Sequence, residues 1–139
     1  MSLTQCEAAL RTAIETVLSP IPVAQSNIPF RPPSGRSPWA RITFMPSQPQ
    51  PVSLGVGGRD RADGINQVDL MFPLGTGDTA ANVAAAALEA YFNAQRIVSY
   101  SGQYVNIRSC GRADGSEEIS EGLFVVRVTI AWYAFWIRS

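Results

Sequence analysis

The 139-residue chain contains no histidine, and all eleven of its basic residues are arginine. Histidine is the commonest general base and the commonest metal ligand, so its absence removes the usual means of activating a nucleophile. A Walker-type phosphate loop needs a lysine that reaches the outer phosphates, and this chain has none. These absences argue against an enzyme, and we expect no catalytic residue, no cofactor and no metal site.

Cysteine is also scarce, since only Cys6 and Cys110 occur and they are far apart in the sequence. Two cysteines without a CxxC pattern indicate neither a zinc site nor a disulfide framework. No basic segment followed by an apolar run stands at the N-terminus, and no apolar run is long enough to span a bilayer. We therefore expect a protein made in the cytoplasm, without a membrane partner.

Charge is low and balanced, with eleven basic and eleven acidic residues in a chain that is 46% hydrophobic and 16% charged. A dedicated binder of nucleic acid or of anionic membranes normally carries a basic excess, which is missing here. A weakly charged, partly apolar surface instead favours burial against protein partners.

Apolar residues recur at three- and four-residue steps from residue 3 to residue 18, which predicts an amphipathic helix. Ser2 and Gln5 have the spacing of a capping box, and Ser19-Pro20 ends the helix. A proline-rich segment, residues 20–38, is expected to cross the body in an extended form, with Ile21, Val23, Ile28 and Phe30 touching it.

Alternating apolar and polar residues then predict a series of strands. These cover residues 39–46, 51–55, 64–73, 103–109 and 123–136. An alanine-rich helix is predicted from Asp78 or Thr79 to about residue 93, with Val83, Ala84, Leu88 and Tyr91 as its buried stripe. The sequence therefore predicts one α+β domain over residues 1–139: a mainly antiparallel β-sheet packed with two α-helices, and a long flexible β-hairpin arm.

The last predicted strand, "LFVVRVTIAWYAFW", is unusually long. At about 3.3 Å a residue it spans roughly 46 Å, whereas a domain of this size has a radius of gyration of about 14 Å. We expect this strand either to bend sharply or to run beyond the body of the domain. In the second case its end is expected to be covered by another subunit or a partner.

The arm is the stretch "SLGVGGRDRADG", residues 53–64, which resembles a phosphate-binding loop only in its glycines. A dinucleotide loop joins a strand to a helix, whereas this stretch joins two predicted strands. Its charges alternate in sign and are self-complementary, so copies of the arm can pair. We predict a subunit interface made by four residues: Arg59, Asp60, Arg61 and Asp63. The alternative is a solvated, mobile hairpin tip.

The order of these signals resembles the small tail-terminator-like proteins of long-tailed bacteriophages, related in fold to minor tail protein U. The resemblance rests on a proline-rich crossing, a Trp39-Ala40-Arg41 strand, the Leu54-Gly55 turn and a strand from Gly64 to Pro73. A glycine-rich turn at residues 75–77, a second helix and a long aromatic last strand complete it.

This resemblance implies a structural phage or prophage protein that forms a ring, typically of six subunits, on the head-proximal end of the tail tube. The ring stops tube growth and contributes to head–tail joining. Its partners would be copies of itself, the tail tube protein and the head–tail connector protein, with DNA only as passing cargo. The protein would act in the bacterial cytoplasm during assembly and then in the virion tail.

Two alternatives stay open: another head–tail or neck component on a similar fold, and a small ligand-binding domain. The stretch "PLGTGDTAAN" suits the second, because it joins a strand to a helix N-terminus. Asp78 stands where an anion would bind, however, and favours a plain capped turn. We further predict that Arg41, Asp69 and Arg127 line an exposed face of the sheet.

Overall fold

The fold is given by a computed structural model that describes residues 2–24, 37–73, 79–112, 118–120 and 123–137. Its helices are α1 (Leu3–Leu18) and α2 (Thr79–Tyr91). Its strands are β1 (Val23–Ala24), β2 (Trp39–Pro46), β3 (Gln50–Pro51), β4 (Arg59–Pro73), β5 (Ile97–Tyr100), β6 (Gln103–Arg112), β7 (Glu118–Ser120) and β8 (Leu123–Ile137).

The strands form one curled sheet in the order β1-β2-β4-β8-β6-β5, with β3 on β4 and β7 on β8. All pairs are antiparallel except the short β1–β2 pair. Both helices pack on the sheet and on each other. The predicted α+β class, with two helices and a mainly antiparallel sheet, is confirmed.

The centre of the sheet is the pair β4–β8, which stays in register over fifteen residues, from Arg59↔Ile137 to Pro73↔Leu123. The sequence predicts a strand from Gly64, but β4 begins at Arg59. The charged half of the arm is therefore a strand and not a loop. Pairing with β8 explains the difference, because the overlong last strand offers a partner edge that local propensity cannot reveal.

The predicted strand over residues 51–55 is also wrong, since β3 ends at Pro51 and pairs only with residues 60 and 61 of β4. The glycines that follow favour a turn over a strand. Farther along, residues 110–122 lie between two predicted strands, but part of this stretch is strand, because β6 runs to Arg112 and β7 pairs with β8. The fit with β8 again overrides the local polarity.

One face of the sheet builds the main core with the helices. Val68, Leu70 and Phe72 of β4 point there, and so do Val105 and Ile107 of β6. The β8 residues of this face, from Phe124 to Trp136, belong to or pack against the same cluster. Trp132 is fully buried and stacks on Phe44 at 5.5 Å between ring centroids.

The helices differ from prediction in two details. In α2 the fully buried residues are Ala81, Ala85 and Leu88, while Val83 is exposed. Of the predicted stripe, Leu88 is fully buried and Ala84 and Tyr91 are partly buried against the core, so only Val83 is wrong. An alanine-rich helix offers little side-chain contrast to define the limits of its buried side. In α1, Ser2 is the N-cap residue but its side chain makes no capping hydrogen bond, so the predicted capping box is wrong.

The proline-rich segment contributes β1, and Ile21 and Val23 pack against the core as predicted. Ile28 and Phe30 lie outside the described residues, as does Asp78. On the opposite face of the sheet, a small second cluster contains Ala24, Trp39, Met71 and Val125. We call this second side the outer face.

Candidate subunit interface

The arm is a short hairpin with a structured turn. The amide of Val52 donates to the carbonyl of Arg59 at 2.9 Å, and the amide of Arg59 donates to Ser53 Oγ at 2.7 Å. At the tip, the amide of Gly58 donates to the carbonyl of Gly55 at 3.1 Å, and Gly57 has φ of 81°. A positive φ at the third position of a hydrogen-bonded turn is what glycine permits. The described conformation is thus held by its own backbone.

A charged cluster lies at the base of this hairpin, on the outer face. Arg61 donates two hydrogen bonds to Asp63, from Nε to Oδ1 at 2.8 Å and from Nη2 to Oδ2 at 3.1 Å. Arg108 of β6 donates to the same Oδ2 at 3.1 Å, reaching across β8. Asp63 therefore ties β4 to β6, and its charge is compensated within the chain.

Aromatic rings of β8 lie beneath these arginines. The Arg61 guanidinium is 4.7 Å from the ring centroid of Tyr133 and 5.4 Å from that of Phe135. Arg59 lies 5.5 Å from the Phe135 ring. Arginine covers an aromatic face well because it is planar and weakly hydrated. This explains how a charged segment pairs with the apolar end of β8.

The hydrogen bonds from Arg61 lower the pKa of the Asp63 carboxyl, and the charges of Arg61 and Arg108 act in the same direction, against the effect of partial burial. The same hydrogen bond raises the pKa of Arg61. Both groups are charged at neutral pH. Because both side chains are about one-third exposed, this pair orients the arm more than it stabilises the fold.

The structure places the four predicted interface residues on one strand segment. The register sets Arg59, Arg61 and Asp63 on the outer face, while Asp60, opposite Trp136, lies on the other face. Arg59 is exposed and the other three are half-buried. The charges of Arg61 and Asp63, expected to pair between copies, pair with each other. Their role in subunit contacts remains a prediction.

The predicted sheet-face residues form one row across three strands, Arg41↔Asp69↔Arg127. Arg41 is exposed and Arg127 half-buried. Asp69 is only 7% exposed, so its predicted exposure is wrong. The cause is that Arg127 Nε lies 3.3 Å from Asp69 Oδ1 and Gln67 Nε2 donates to the same oxygen at 3.0 Å.

The sequence did not single out Arg108 as a partner of the arm. It lies at an irregularity in the β6–β8 register, between Ile107 and Ser109, which turns its side chain toward Asp63. A bulge of this kind re-aims a side chain and has no clear sequence signal. By contrast, the i, i+2 spacing of Arg61 and Asp63 places both on one face once the segment is known to be a strand.

The described residues offer little to ligand chemistry. Across these ranges, no group of three or more histidine, cysteine or acidic residues is placed to hold a metal ion. Burial raises the pKa of the Cys6 thiol to about 11 and that of Cys110 to about 12, which leaves both as weak nucleophiles at neutral pH. Among the described helices, none has the length and apolar character needed to cross a bilayer.

A family model for phage tail terminator proteins matches residues 5–132, nearly the whole chain. The chain belongs to the phage tail terminator family. The resemblance stated from the sequence is thereby confirmed. Membership assigns the protein a structural role in the phage tail and places it with other tail proteins in the virion. The family is structural rather than enzymatic.

A solved protein structure without a functional name shares the fold, with a TM-score of 0.73 over 96% of this chain and 96% of that one. The two sequences are 23% identical, so the likeness concerns the fold alone. Among curated protein sequences, none matches the chain.

Proposed function

We propose that this tail terminator forms a ring on the head-proximal end of the tail tube, stops tube growth and offers a surface for head–tail joining. The observation that carries the proposal is the family match over residues 5–132. The ring has six subunits in this proposal, its partners are the tail tube protein and the head–tail connector protein, and DNA passes through its lumen. Assembly takes place in the host cytoplasm.

We propose further that the arm makes subunit contacts through Arg59, Asp60, Arg61 and Asp63. Arg59 is the exposed member of this set, and β8 holds the segment at a fixed position on the outer face. Because Arg61 and Asp63 already satisfy each other, a neighbouring subunit meets a preformed charge pair. A preformed surface loses little conformational entropy on association, which favours assembly.

The row Arg41, Asp69 and Arg127 serves as the second surface of the proposal, and it reaches solvent through the exposed Arg41 and the half-buried Arg127. It carries two positive charges and one negative charge, and Asp69 stands opposite both arginines in the register. A basic excess of one charge attracts DNA only weakly, which suits a lumen surface past which DNA has to move. A row of uncompensated arginines would hold the DNA instead.

Electron microscopy of the purified protein with isolated tail tubes tests the function. A cap on one end of each tube, together with arrested growth, is the expected result. Decoration along the tube or binding to the connector alone would instead favour another neck component. An absence of binding to tubes and connectors would refute the proposal.

The arm is tested by Arg59→Glu, with Arg41→Glu as the matched control. Both are exposed arginines, 5.5 and 5.4 Å from an aromatic ring centroid, on the outer face. Arg59→Glu is expected to abolish ring formation, while Arg41→Glu preserves it, with similar melting temperatures for both. Equal ring formation by the two variants would remove the arm charges from the interface.

A further inference from the structure

The tip of the hairpin, residues 52–58, exposes aliphatic side chains and carries no charge. Val52 is 51% exposed, Leu54 94% and Val56 103%, so the last two make almost no contact with their own chain. They stand on a turn that is fixed by backbone hydrogen bonds. Residues 52–58 contain no charged side chain. An ordered, neutral, aliphatic projection is unfavourable in water and is typical of a contact site.

A second uncharged surface, with two large exposed hydrophobic side chains, lies on the β5–β6 hairpin. Ile97 is 57% exposed and Tyr104 is 62% exposed. The register pairs Ile97 with Asn106 and Ser99 with Tyr104, so these four side chains share one face as diagonal and direct neighbours. Residues 97–107 contain no charged side chain either. We call Ile97, Ser99, Tyr104 and Asn106 the hairpin floor.

The tip and the floor lie at the same end of the sheet but on opposite edges. At this end the strands follow the order β3-β4-β8-β6-β5. The tip precedes Arg59, which pairs with Ile137, and Gln103 beside the floor donates from Nε2 to the carbonyl of Phe135 at 3.0 Å. The exposure of Leu54 and Val56 excludes a contact between tip and floor within one chain.

We propose that the tip of one subunit, through Leu54 and Val56, packs on the hairpin floor of a second copy of this chain. The inference rests on the proposed ring and names its contact. Two different patches that meet head to tail make a heterologous interface, which repeats around a ring until it closes. The absence of charge on both surfaces removes any cost of burying an unpaired ion and offers nothing to an anionic or cationic partner.

The size of the contact also favours a closed ring over a dimer. The largest apolar patch on a typical monomer is about 300–600 Å², and a contact between two patches of that size or smaller buries less than the roughly 1,200–2,000 Å² of a stable protein pair. A subunit inside a ring makes this contact twice, once through its tip and once through its hairpin floor. The contact that closes the ring joins subunits that are already linked, so it forms as an intramolecular contact does. The chain is thus expected to be monomeric when dilute and to assemble cooperatively.

Disulfide trapping between two variants tests the contact. Val56→Cys is mixed with Tyr104→Cys under mild oxidation with tail tubes present, and Val56→Cys with Val83→Cys is the control, because Val83 is 64% exposed on α2. The native Cys6 is fully buried and Cys110 half-buried, and the wild-type protein measures their background. The first pair is expected to cross-link about tenfold faster than the control.

Val56→Asp and Val83→Asp provide a second measurement. We expect Val56→Asp to raise the concentration needed for assembly by about tenfold or more, because a charge replaces a buried aliphatic contact, and Val83→Asp to leave it unchanged. Equal cross-linking of the two cysteine pairs, or equal assembly of the two aspartate variants, overturns the contact. Rings seen by microscopy in that case leave the proposed function intact, whereas an absence of rings on tubes refutes both.

Discussion

Gly64 stands opposite Trp132 in the β4–β8 register, and this close approach gives a sharp test of the fold. A methyl group at residue 64 would lie 2.5 Å from Cζ2 and 2.8 Å from Cε2 of Trp132, and 3.0 Å from the carbonyl oxygen of Met45. Carbon atoms pack at about 3.5–4.0 Å, so Gly64→Ala forces a movement of roughly 1 Å. Trp132 has no room for it, since the ring is fully buried and stacked on Phe44.

Overpacking of a core costs about 1–3 kcal/mol, and we expect Gly64→Ala at the upper end of that range because it also presses on backbone. For a chain of this length, a loss of about 3 kcal/mol lowers the melting temperature by roughly 10 °C. Thermal and urea unfolding followed by circular dichroism measure the change. Gly111→Ala is the control, because a methyl group at Gly111 meets nothing within 4 Å.

A double-mutant cycle identifies Trp132 as the cause. In a Trp132→Phe background the smaller ring leaves space, so the penalty of Gly64→Ala should fall by about 1 kcal/mol or more. The reasoning fails if Gly64→Ala has the same melting temperature as the wild type. It fails equally if the penalty is the same in both backgrounds.

Three other expectations concern single groups. The side-chain nitrogen and oxygen of Asn66 are both buried without a hydrogen-bond partner. Asn66→Leu should therefore raise the free energy of unfolding by about 1–2 kcal/mol, and the melting temperature with it. A lower melting temperature than that of the wild type would show that the amide has another role. Because the pKa of Asp63 is lowered in the folded protein, its ionised carboxylate stabilises the fold at pH values above the ordinary carboxyl pKa of 3.8. This stabilisation is lost as the pH falls through the pKa of the folded state. Asp63→Asn should therefore be less stable than the wild type at pH 7, and the difference should vanish at low pH. Finally, the fully buried Cys6 should react with a thiol reagent at pH 8 only after unfolding, and the half-buried Cys110 should react more slowly than a free thiol because its pKa is raised to about 12. Fast reaction of both thiols in the native protein would contradict this.

Local pattern suffices for strands that are half-buried along their whole length. Residues 39–46 alternate cleanly, and β2 has the predicted bounds. It fails for residues 59–63, whose alternating charges look like a solvated loop, because the stabilising contact is with Phe135 and Tyr133, more than seventy residues away. The length of the last predicted strand indicates that its partner strand is equally long, and fifteen residues of β8 do pair with fifteen residues of β4.

The candidate interface, too, can be predicted from the sequence only in part. The sequence supplies the charges of the arm and their spacing, from which the Arg61–Asp63 pair follows once a strand is assumed. It does not supply the irregularity in β6 that brings Arg108 to Asp63, nor the two neighbours that bury Asp69. Exposure depends on what adjacent strands carry, and strand order was not available from the pattern.

Two forces compete to explain assembly, and salt separates them. If Arg59 and its neighbours drive subunit contacts by charge, rings should dissociate at about 1 M salt, where the Debye length falls to about 3 Å. If Leu54 and Val56 drive them by burial of apolar surface, rings should persist or strengthen, especially in sulfate. Because Arg61 and Asp63 already neutralise each other within the chain, we expect the second result. Arg59→Glu still abolishes ring formation in this case, because it places an unpaired carboxylate in the contact. Rings that dissolve in sodium chloride but reform on dilution of the salt would assign the contact to the charges and leave the apolar tip without a role.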